Sequence, residues 1–282
     1  MRNWMSAAVL GLVFGLVAPA GLAAEPGREA GPEKDYTEAM AREHAGDRPE
    51  AGAAAGAAAA GIVGEEVDYG PGRGYLARPS GAPRAGLIVI HEWWGLNDNI
   101  REMSNRLAEA GYLALAVDLY EGPVAGDPEE ARTLMQALMR DEARASLHLG
   151  AAFRWLENEG GVERVGSIGW CLGGAMSLRT AMEFPEELDA AVIYYGRLVT
   201  DPARLAPLRM PILGIFGGQD RGIPIESVRE FETLLETLGK TAEIVVYDEA
   251  DHAFANPSGT RYAPEAAADA WRRTLEFLDE YL

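Results

Sequence analysis

The sequence is poor in cysteine, histidine and lysine, and it has no surplus of positive charge. Its 282 residues include one cysteine, Cys171, so no disulfide can form within the chain. Lysine occurs only at Lys34 and Lys240, and the formal net charge at pH 7 is −19. Nucleic acids and anionic membrane surfaces are bound by clustered Lys and Arg that meet phosphate groups. The charge therefore argues against both kinds of partner.

Residues 1–24 have the pattern of a secretory signal peptide. Arg2 is the only charged residue before Glu25, an apolar run covers 7–18, and small residues near position 24 offer cleavage sites. An uncleaved membrane anchor is the alternative, because residues 4–24 approach the length that spans a bilayer. We expect cleavage, a periplasmic or secreted protein, and no membrane attachment afterwards.

Residues 25–62 are rich in Ala, Gly and Glu and contain few side chains that could form a core. This composition predicts a flexible linker. A short helix over 36–44 is the alternative, and the pattern assigns no chemistry to it. The folded domain is therefore expected to span residues 63–282.

The domain alternates short apolar runs with amphipathic segments, which predicts an α/β fold with a mostly parallel sheet covered on both faces. Helices are expected after Asn99, where Glu102 completes a capping box, twice within 127–158, before Gly239 and after Pro264. The predicted strands lie at 66–69, 74–78, 86–90, 112–119, 165–170, 190–195, 211–217 and 244–247.

The segment from Gly169 to Gly174, Gly-Trp-Cys-Leu-Gly-Gly, joins a predicted strand to a predicted helix. Glycines two residues before and two residues after Cys171 suit a tight turn that leaves no room for a Cβ atom. This is the pattern of a nucleophile elbow, with cysteine in place of serine. At the N-terminus of the following helix, free N–H groups and the helix dipole favour a thiolate. A buried structural cysteine is the alternative.

A nucleophile on an elbow needs a base and an acid that orients the base, in the chain order nucleophile, acid, histidine. Asp220 and His252 follow Cys171 in this order, and each comes just after a predicted strand. Asp248 and Asp251 are alternatives for the acid. The remaining histidines are weaker candidates, because they lie in the predicted linker, before the nucleophile and in the middle of a helix: His44, His91 and His148.

The loop that follows the first buried strand is where an oxyanion hole is expected in such a sheet. The backbone N–H groups of Trp93 and Leu172 are the candidate donors. Packing in the core is the alternative role for Trp93 and for its neighbour Trp94.

Five short motifs, in this order, resemble those of the dienelactone hydrolase family across residues 64–282. They are His91–Gly95 (HEWWG), Asp118–Tyr120 (DLY), Gly169–Gly174 (GWCLGG), Gly218–Asp220 (GQD) and His252–Phe254 (HAF). The resemblance implies an α/β-hydrolase fold that cleaves esters and lactones without a cofactor or metal. It implies that Cys171 is the nucleophile, His252 the base and Asp220 its orienting acid. Glu92 falls on the carboxylate that pairs with the resting cysteine in the family.

Two positions depart from the family pattern. Members that cleave dienelactones hold the substrate carboxylate with two arginines, and Gly122 and Asn256 stand at those positions here. Arg221 and Arg261 could substitute, although surface positions are the alternative for both. We therefore expect a preference for neutral esters or lactones, in a pocket that includes Trp94, Tyr120 and Asn256.

The sequence thus predicts an exported cysteine hydrolase for a small-molecule ester, thioester or lactone, acting through an acyl-cysteine intermediate as a monomer or weak dimer. Two alternatives stay open. One is a binding protein without activity on the same fold, against which the complete triad argues. The other is an acyltransferase, which uses the same acyl-enzyme but excludes water.

Overall fold

A computed structural model describes residues 32–47 and 63–282. The predicted signal peptide lies outside the described residues, as do residues 25–31 and 48–62 of the predicted linker. In the part of the chain that is described, no helix is long and apolar enough to cross a membrane.

Eight strands form one sheet in the order β1-β2-β4-β3-β5-β6-β7-β8. At one edge β2 pairs antiparallel with both β1 and β4, and the other pairings between neighbours are parallel. The central strands are buried along their whole length, as their continuous apolar sequences predict. The strands are β1 Glu65–Asp68, β2 Arg73–Ala77, β3 Gly86–Ile90, β4 Leu113–Val117, β5 Val165–Trp170, β6 Ala190–Tyr194, β7 Ile212–Gly217 and β8 Ala242–Tyr247.

Helices connect the parallel strands and pack around the sheet, which confirms the predicted α/β-hydrolase architecture. The region 127–158 holds two helices, as expected. The helices are α1 Pro32–Glu43, α2 Asp98–Glu109, α3 Pro128–Arg140, α4 Glu142–Asn158, α5 Leu172–Glu183, α6 Pro202–Leu205, α7 Ile225–Thr237 and α8 Pro264–Tyr281.

The start of α2 differs from the prediction by two residues. Asn97, and not Asn99, is the N-cap, and its side chain accepts a hydrogen bond from the N–H of Ile100 at 3.2 Å. Asn97 has an extended backbone, which lets its side chain turn back to the first free N–H groups. The predicted capping box at Asn99 is therefore wrong.

The parallel strands β3, β5, β7 and β8 end at the same edge of the sheet. The loops after these strands carry the residues that the sequence singles out. Loops at the carboxyl ends of parallel strands are the usual ligand-binding region of such sheets. The topology therefore brings together side chains that are far apart in the chain.

Residues 32–47 correct the prediction of a flexible linker over this stretch. Residues 32–43 form α1, and the chain then turns through His44 to Asp47. Tyr36, Met40 and His44 are spaced by four residues, so they share one side of the helix, and all three are buried against the domain. The alternative of a short helix over 36–44 overlaps α1 from residue 36 to residue 43.

Candidate active site

Cys171 occupies the sharp turn between β5 and α5. Its backbone has φ 56° and ψ −114°, a conformation that non-glycine residues adopt rarely. A Cβ atom at Gly169 would collide with the carbonyl of Gly173, and one at Gly173 would collide with the carbonyl of Ile90. Both glycines are therefore required for the close approach of the turn to the sheet. The geometry is that of a nucleophile elbow.

Asp220 and His252 meet at the end of the sheet. The Nδ1 atom of His252 lies 2.7 Å from Oδ2 of Asp220, and both side chains are fully buried. The other carboxylate oxygen of Asp220 accepts hydrogen bonds from the N–H groups of Gly222 and Ile223 at 2.8 Å. Asp251, an alternative acid, accepts instead from the backbone N–H of His252. The structure thus places Asp220 on the histidine ring.

The other ring nitrogen of His252, Nε2, is buried and has no hydrogen-bond partner among the described residues. A ring nitrogen of His252 and the sulfur of Cys171 lie within 4.8 Å of each other. Burial by itself lowers the pKa of His252, but the negative charges of Asp220 and Cys171 outweigh it and raise the pKa well above its usual value. The ring of Tyr195 packs edge-on against His252 at 5.2 Å between centroids. Asp220 therefore fixes the orientation of the His252 ring, and the role of this histidine as a base stays a prediction.

Glu92 is buried beside this group. Its Oε2 atom accepts a hydrogen bond from Nδ2 of Asn256 at 2.5 Å, and the Oδ1 atom of Asn256 accepts from Ser258. Burial raises the pKa of Glu92 from 4.5 to about 7, although the positive charge of His252 and the bond from Asn256 oppose this shift. The structure therefore places Asn256 against Glu92, and the lining of a substrate pocket by Asn256 stays a prediction.

The aromatic residues of the HEWWG loop are packed in the interior. The carbonyl of Trp93 accepts a hydrogen bond from the hydroxyl of Tyr120 at 3.0 Å, and the ring of Tyr120 lies 4.7 Å from that of His91. Trp93 and Trp94 contact each other at 5.0 Å between ring centroids. All four rings are buried, so both tryptophans have the packing role that the sequence left open. Their part in substrate binding stays a prediction.

The two candidate oxyanion donors follow directly after active-site side chains. Leu172 is the first residue of α5, where a backbone N–H has no acceptor within the helix. Trp93 follows Glu92 in the loop after β3. An oxyanion hole formed by these two N–H groups stays a prediction.

The turn after α1 adds His44, which the sequence interpretation had placed in the linker. The ring of His44 lies 4.7 Å from Trp93 and 5.4 Å from His252 between centroids. A ring nitrogen of His44 is within 4.8 Å of the sulfur of Cys171 and of a ring nitrogen of His252. Burial lowers the pKa of His44 from 6.5 to about 4, so its ring is neutral at pH 7.

A cluster of hydrogen bonds fastens this turn to the loop of the catalytic histidine. Arg261 donates to the carbonyl of His252 at 3.0 Å, to Oδ2 of Asp47 at 3.0 Å and to the carbonyl of Glu43. Thr260 donates to Oδ1 of Asp47 through its hydroxyl at 2.6 Å. Arg261 therefore holds α1 in place, and Arg221 lines an outer cleft with Glu43 and Arg261.

The proton of His44 can be assigned from its neighbours. Nδ1 of His44 lies 2.6 Å from Oδ2 of Asp47 and 2.9 Å from the guanidinium of Arg261. A carboxylate only accepts and a guanidinium only donates, so the shorter contact to Asp47 requires the proton on Nδ1. Nε2 then carries a lone pair, and it is buried without a hydrogen-bond partner among the described residues.

With α1 in this position, the nucleophile is closed off. Cys171 and His252 have no exposed surface, and Glu92 is 2% exposed. Met40 of α1 is fully buried, and its methyl group lies against Gly222 in the loop that follows Asp220. We therefore expect that α1 must move before substrate can reach Cys171.

A cavity of about 250 Å³ opens beside the elbow. Leu172 and Met176 of α5 form one side, Tyr36 of α1 forms another, and Arg197 and Arg204 supply positive charge. The guanidinium of Arg197 lies over the ring of Tyr36, 5.4 Å from its centroid. Sequence reasoning gave no role to these arginines, because nothing in the chain order aims them at the elbow.

A signal for α1 was present but incomplete. Tyr36, Met40 and His44 repeat at the four-residue spacing of a helix face, within a stretch that has few other apolar residues. The pattern predicts the helix. It does not show which surface receives that face, because the partner residues, such as Trp93, Arg197 and Gly222, belong to distant segments of the chain.

The comparisons with known proteins identify the family of the chain. The sequence profile of the dienelactone hydrolase family matches residues 73–282. A Saccharolobus solfataricus protein assigned as a carboxymethylenebutenolidase is 32% identical over 244 residues, covering 73% of this chain and 93% of its own. An Escherichia coli K12 protein with the same assignment is 36% identical over 224 residues, covering 73% of this chain and 82% of its own.

Among solved structures, a protein of Klebsiella pneumoniae assigned as a dienelactone hydrolase is 34% identical. It covers 78% of this chain and 100% of its own, with a TM-score of 0.69. The chain therefore belongs to the dienelactone hydrolase family, and it is an enzyme that hydrolyses esters or lactones.

Proposed function

We propose that the protein is an exported hydrolase that cleaves a carboxylic ester, thioester or lactone through a Cys171-His252-Asp220 triad. One observation carries the proposal: the ring of His252 binds Asp220 through Nδ1, and the elbow cysteine lies near the ring nitrogens. The resemblance of the whole domain to the family supports the same assignment.

The first half of the reaction forms an acyl-cysteine. His252 takes the proton of the Cys171 thiol, and the sulfur attacks the carbonyl carbon of the substrate. The carbon–oxygen bond to the leaving group breaks, and the leaving alkoxide takes the proton from His252. In a lactone, the leaving group stays attached to the acyl chain.

The second half regenerates the enzyme. His252 takes a proton from a water molecule, and the hydroxide attacks the thioester carbonyl carbon. The carbon–sulfur bond breaks, the acid leaves, and the proton on His252 returns to the sulfur. An alcohol in place of water would give acyl transfer, so the two activities share the acyl-enzyme.

The negative charge on the carbonyl oxygen needs donors in both halves. The backbone N–H groups of Leu172 and Trp93 are proposed for this role. Loss of one such donor typically costs about 10²–10³ in kcat. Because backbone donors survive side-chain replacement, we expect Trp93→Phe to affect packing more than it affects oxyanion binding.

Glu92 is proposed to control the charge at the nucleophile. A carboxylate close to the thiol would disfavour a second anion, whereas a neutral carboxyl would not. The raised pKa of about 7 means that small changes near Glu92 switch its charge at neutral pH. We propose that a bound substrate, by changing these surroundings, favours ionisation of Cys171.

Export is proposed from the N-terminal sequence. N-terminal sequencing of the mature protein should find a start between Gly21 and Glu25 in a fraction outside the cytoplasm. An intact Met1 in a membrane fraction would instead indicate an anchored protein.

The function is tested with a panel of esters, thioesters and lactones on the purified mature chain. Cys171→Ala should abolish turnover and keep the melting temperature within a few degrees, and mass spectrometry should find the acyl adduct on the peptide that contains Cys171. Comparing hydrolysis with transfer to added alcohols separates the hydrolase from the acyltransferase. Full activity in Cys171→Ala would refute the mechanism.

A further inference from the structure

His44 and His252 are arranged in the same way. Each ring is held through Nδ1 by a carboxylate, Asp47 at 2.6 Å and Asp220 at 2.7 Å. Each leaves Nε2 buried and without a hydrogen-bond partner among the described residues. A carboxylate on one nitrogen and a free lone pair on the other is the usual arrangement of a histidine that binds a metal ion.

The sulfur of Cys171 completes a group of three possible ligands. It lies within 4.8 Å of a ring nitrogen of His44 and of His252, and these two nitrogens are equally close to each other. A tetrahedral zinc ion has bonds of about 2.3 Å to sulfur and about 2.0–2.1 Å to nitrogen. Its ligand atoms are then roughly 3.3–3.6 Å apart, so small side-chain movements would close the group around an ion.

We propose that His44, Cys171 and His252 bind a soft divalent metal ion, with Zn²⁺ as the best match, and that the bound ion inhibits hydrolysis by holding α1 over the nucleophile. The ion occupies both the nucleophile and the base, so the catalytic pair cannot act. His44 belongs to the turn after α1, whereas the other two ligands belong to the catalytic domain. The ion therefore links the turn after α1 to Cys171 and His252, over which α1 lies.

The chemistry of the three donors selects the metal. Thiolate and imidazole both suit Zn²⁺, whereas Mg²⁺ and Ca²⁺ prefer oxygen ligands. The sulfur binds as a thiolate and each imidazole as a neutral ring, so binding releases to solvent the one proton that the Cys171 and His252 pair holds. Three protein ligands leave a fourth tetrahedral position for a water molecule.

Zn²⁺ can inhibit many enzymes by binding a catalytic cysteine and histidine alone. The inhibition proposed here differs, because it also requires His44. His44 takes no part in the proposed hydrolysis, and its role can therefore be tested separately from catalysis. Zn²⁺ affinity is measured without substrate, by competition with a chromogenic zinc chelator on the full mature chain. If the metal proposal fails, the evidence for the triad is unaffected. If the triad proposal fails, the zinc titration can still be interpreted, because it does not depend on turnover.

The first variant is His44→Phe, which keeps an aromatic ring against Trp93 and removes both nitrogens. Its Zn²⁺ affinity should fall by at least about 100-fold, because even the partners of metal ligands contribute about 10–100-fold. Asp47→Asn should weaken binding by about 10–100-fold, since it loosens the ring of His44. His148→Gln is the control, because His148 is buried elsewhere and bonds to Tyr69.

A second measurement tests directly whether Zn²⁺ keeps α1 over Cys171. Zn²⁺ should slow alkylation of Cys171 by iodoacetamide at least tenfold in the wild type, whereas the same Zn²⁺ concentration should give little protection in His44→Phe. Mg²⁺ at millimolar concentration should give no protection in either protein.

Three results would overturn the proposal. The wild type could fail to bind Zn²⁺ at micromolar concentration. His44→Phe could bind Zn²⁺ as tightly as the wild type, which would mean that Cys171 and His252 hold the ion alone. Mg²⁺ could compete with Zn²⁺, which would point to the nearby carboxylates of Glu43 and Asp220 as ligands instead.

Discussion

Detaching α1 should expose the nucleophile, and Met40 is the residue to change. Met40 is fully buried where α1 meets the loop of the catalytic acid. Burying a methionine side chain contributes about 1.5–3 kcal/mol. Met40→Ala removes most of this free energy from the state with α1 docked. The state with α1 detached is unaffected, because the rest of the domain keeps its own core. At 1.4 kcal/mol per factor of ten, the open fraction should rise about 10–100-fold.

Iodoacetamide reports this fraction, because Cys171 is the only cysteine of the chain. While the closed form predominates, the alkylation rate is proportional to the open fraction, so Met40→Ala should alkylate about 10–100-fold faster than the wild type. Met210→Ala is the matched control. Met210 is also buried, but it precedes β7, at the opposite edge of the sheet from Cys171. Its alkylation rate should stay within about twofold of the wild type.

The reasoning fails if Met40→Ala is folded and alkylates at the wild-type rate. It also fails if Met210→Ala accelerates alkylation as much, since general loosening of the domain would then explain both. A rise in Met40→Ala alone, together with a rise in esterase activity at low substrate concentration, would identify α1 as the barrier. Tyr36→Ala should give a change in the same direction, because Tyr36 is buried on the same face of α1.

Three further predictions concern the site itself. Asp220→Asn should lower kcat by several orders of magnitude, whereas Asp251→Asn should change it little; the reverse result would reassign the acid. Burial raises the pKa of Glu92 from 4.5 to about 7, so the wild type loses stability as the pH rises through this window. Glu92→Gln should therefore gain about 3 kcal/mol relative to the wild type between pH 4.5 and 8 in urea unfolding, and a pH-independent difference would contradict this. Since Gly122 and Asn256 lack a guanidinium, a methyl ester should have a higher kcat/KM than the matching carboxylate; a tenfold preference for the carboxylate would refute this.

A tenfold preference for the carboxylate would also indicate that another arginine binds the acid group of the substrate. Arg261, one candidate for a relocated clamp, is bound to Asp47 and to backbone carbonyls. Arg197 and Arg204 line the cavity beside Leu172 instead. A carboxylate preference that disappears in Arg197→Gln would place the acid group of the substrate in this cavity.

The buried strands of the sheet and the residues of the proposed triad could be identified from sequence, because both depend on local signals. A fully buried parallel strand requires a continuous apolar run, and such runs predict β3, β4 and β5. The elbow requires glycine at fixed offsets from Cys171, which a short motif records. Helix starts were less certain. Asn97 and Asn99 are both good N-caps, and only the observed backbone decides between them.

The role of Asn256 needed the structure. Its sequence position suggests a substrate pocket, but its amide bonds to Glu92, which lies 164 residues earlier in the chain. The pKa of Glu92 likewise depends on how completely the folded chain buries it. Spacing along a sequence carries no information on burial of this kind.

The sequence by itself determined the fold class and the elbow motif around Cys171, because strands, turns and helix faces are encoded in neighbouring residues. The tertiary structure alone decided what lies over the nucleophile. Tyr36, Met40 and His44 show a helix face in the sequence, but docking is a contact between segments that share no local pattern. Arg261 and Asp47 make that contact specific through side chains separated by 214 positions. Such pairs are close only in the folded chain, where the sheet brings its loops together.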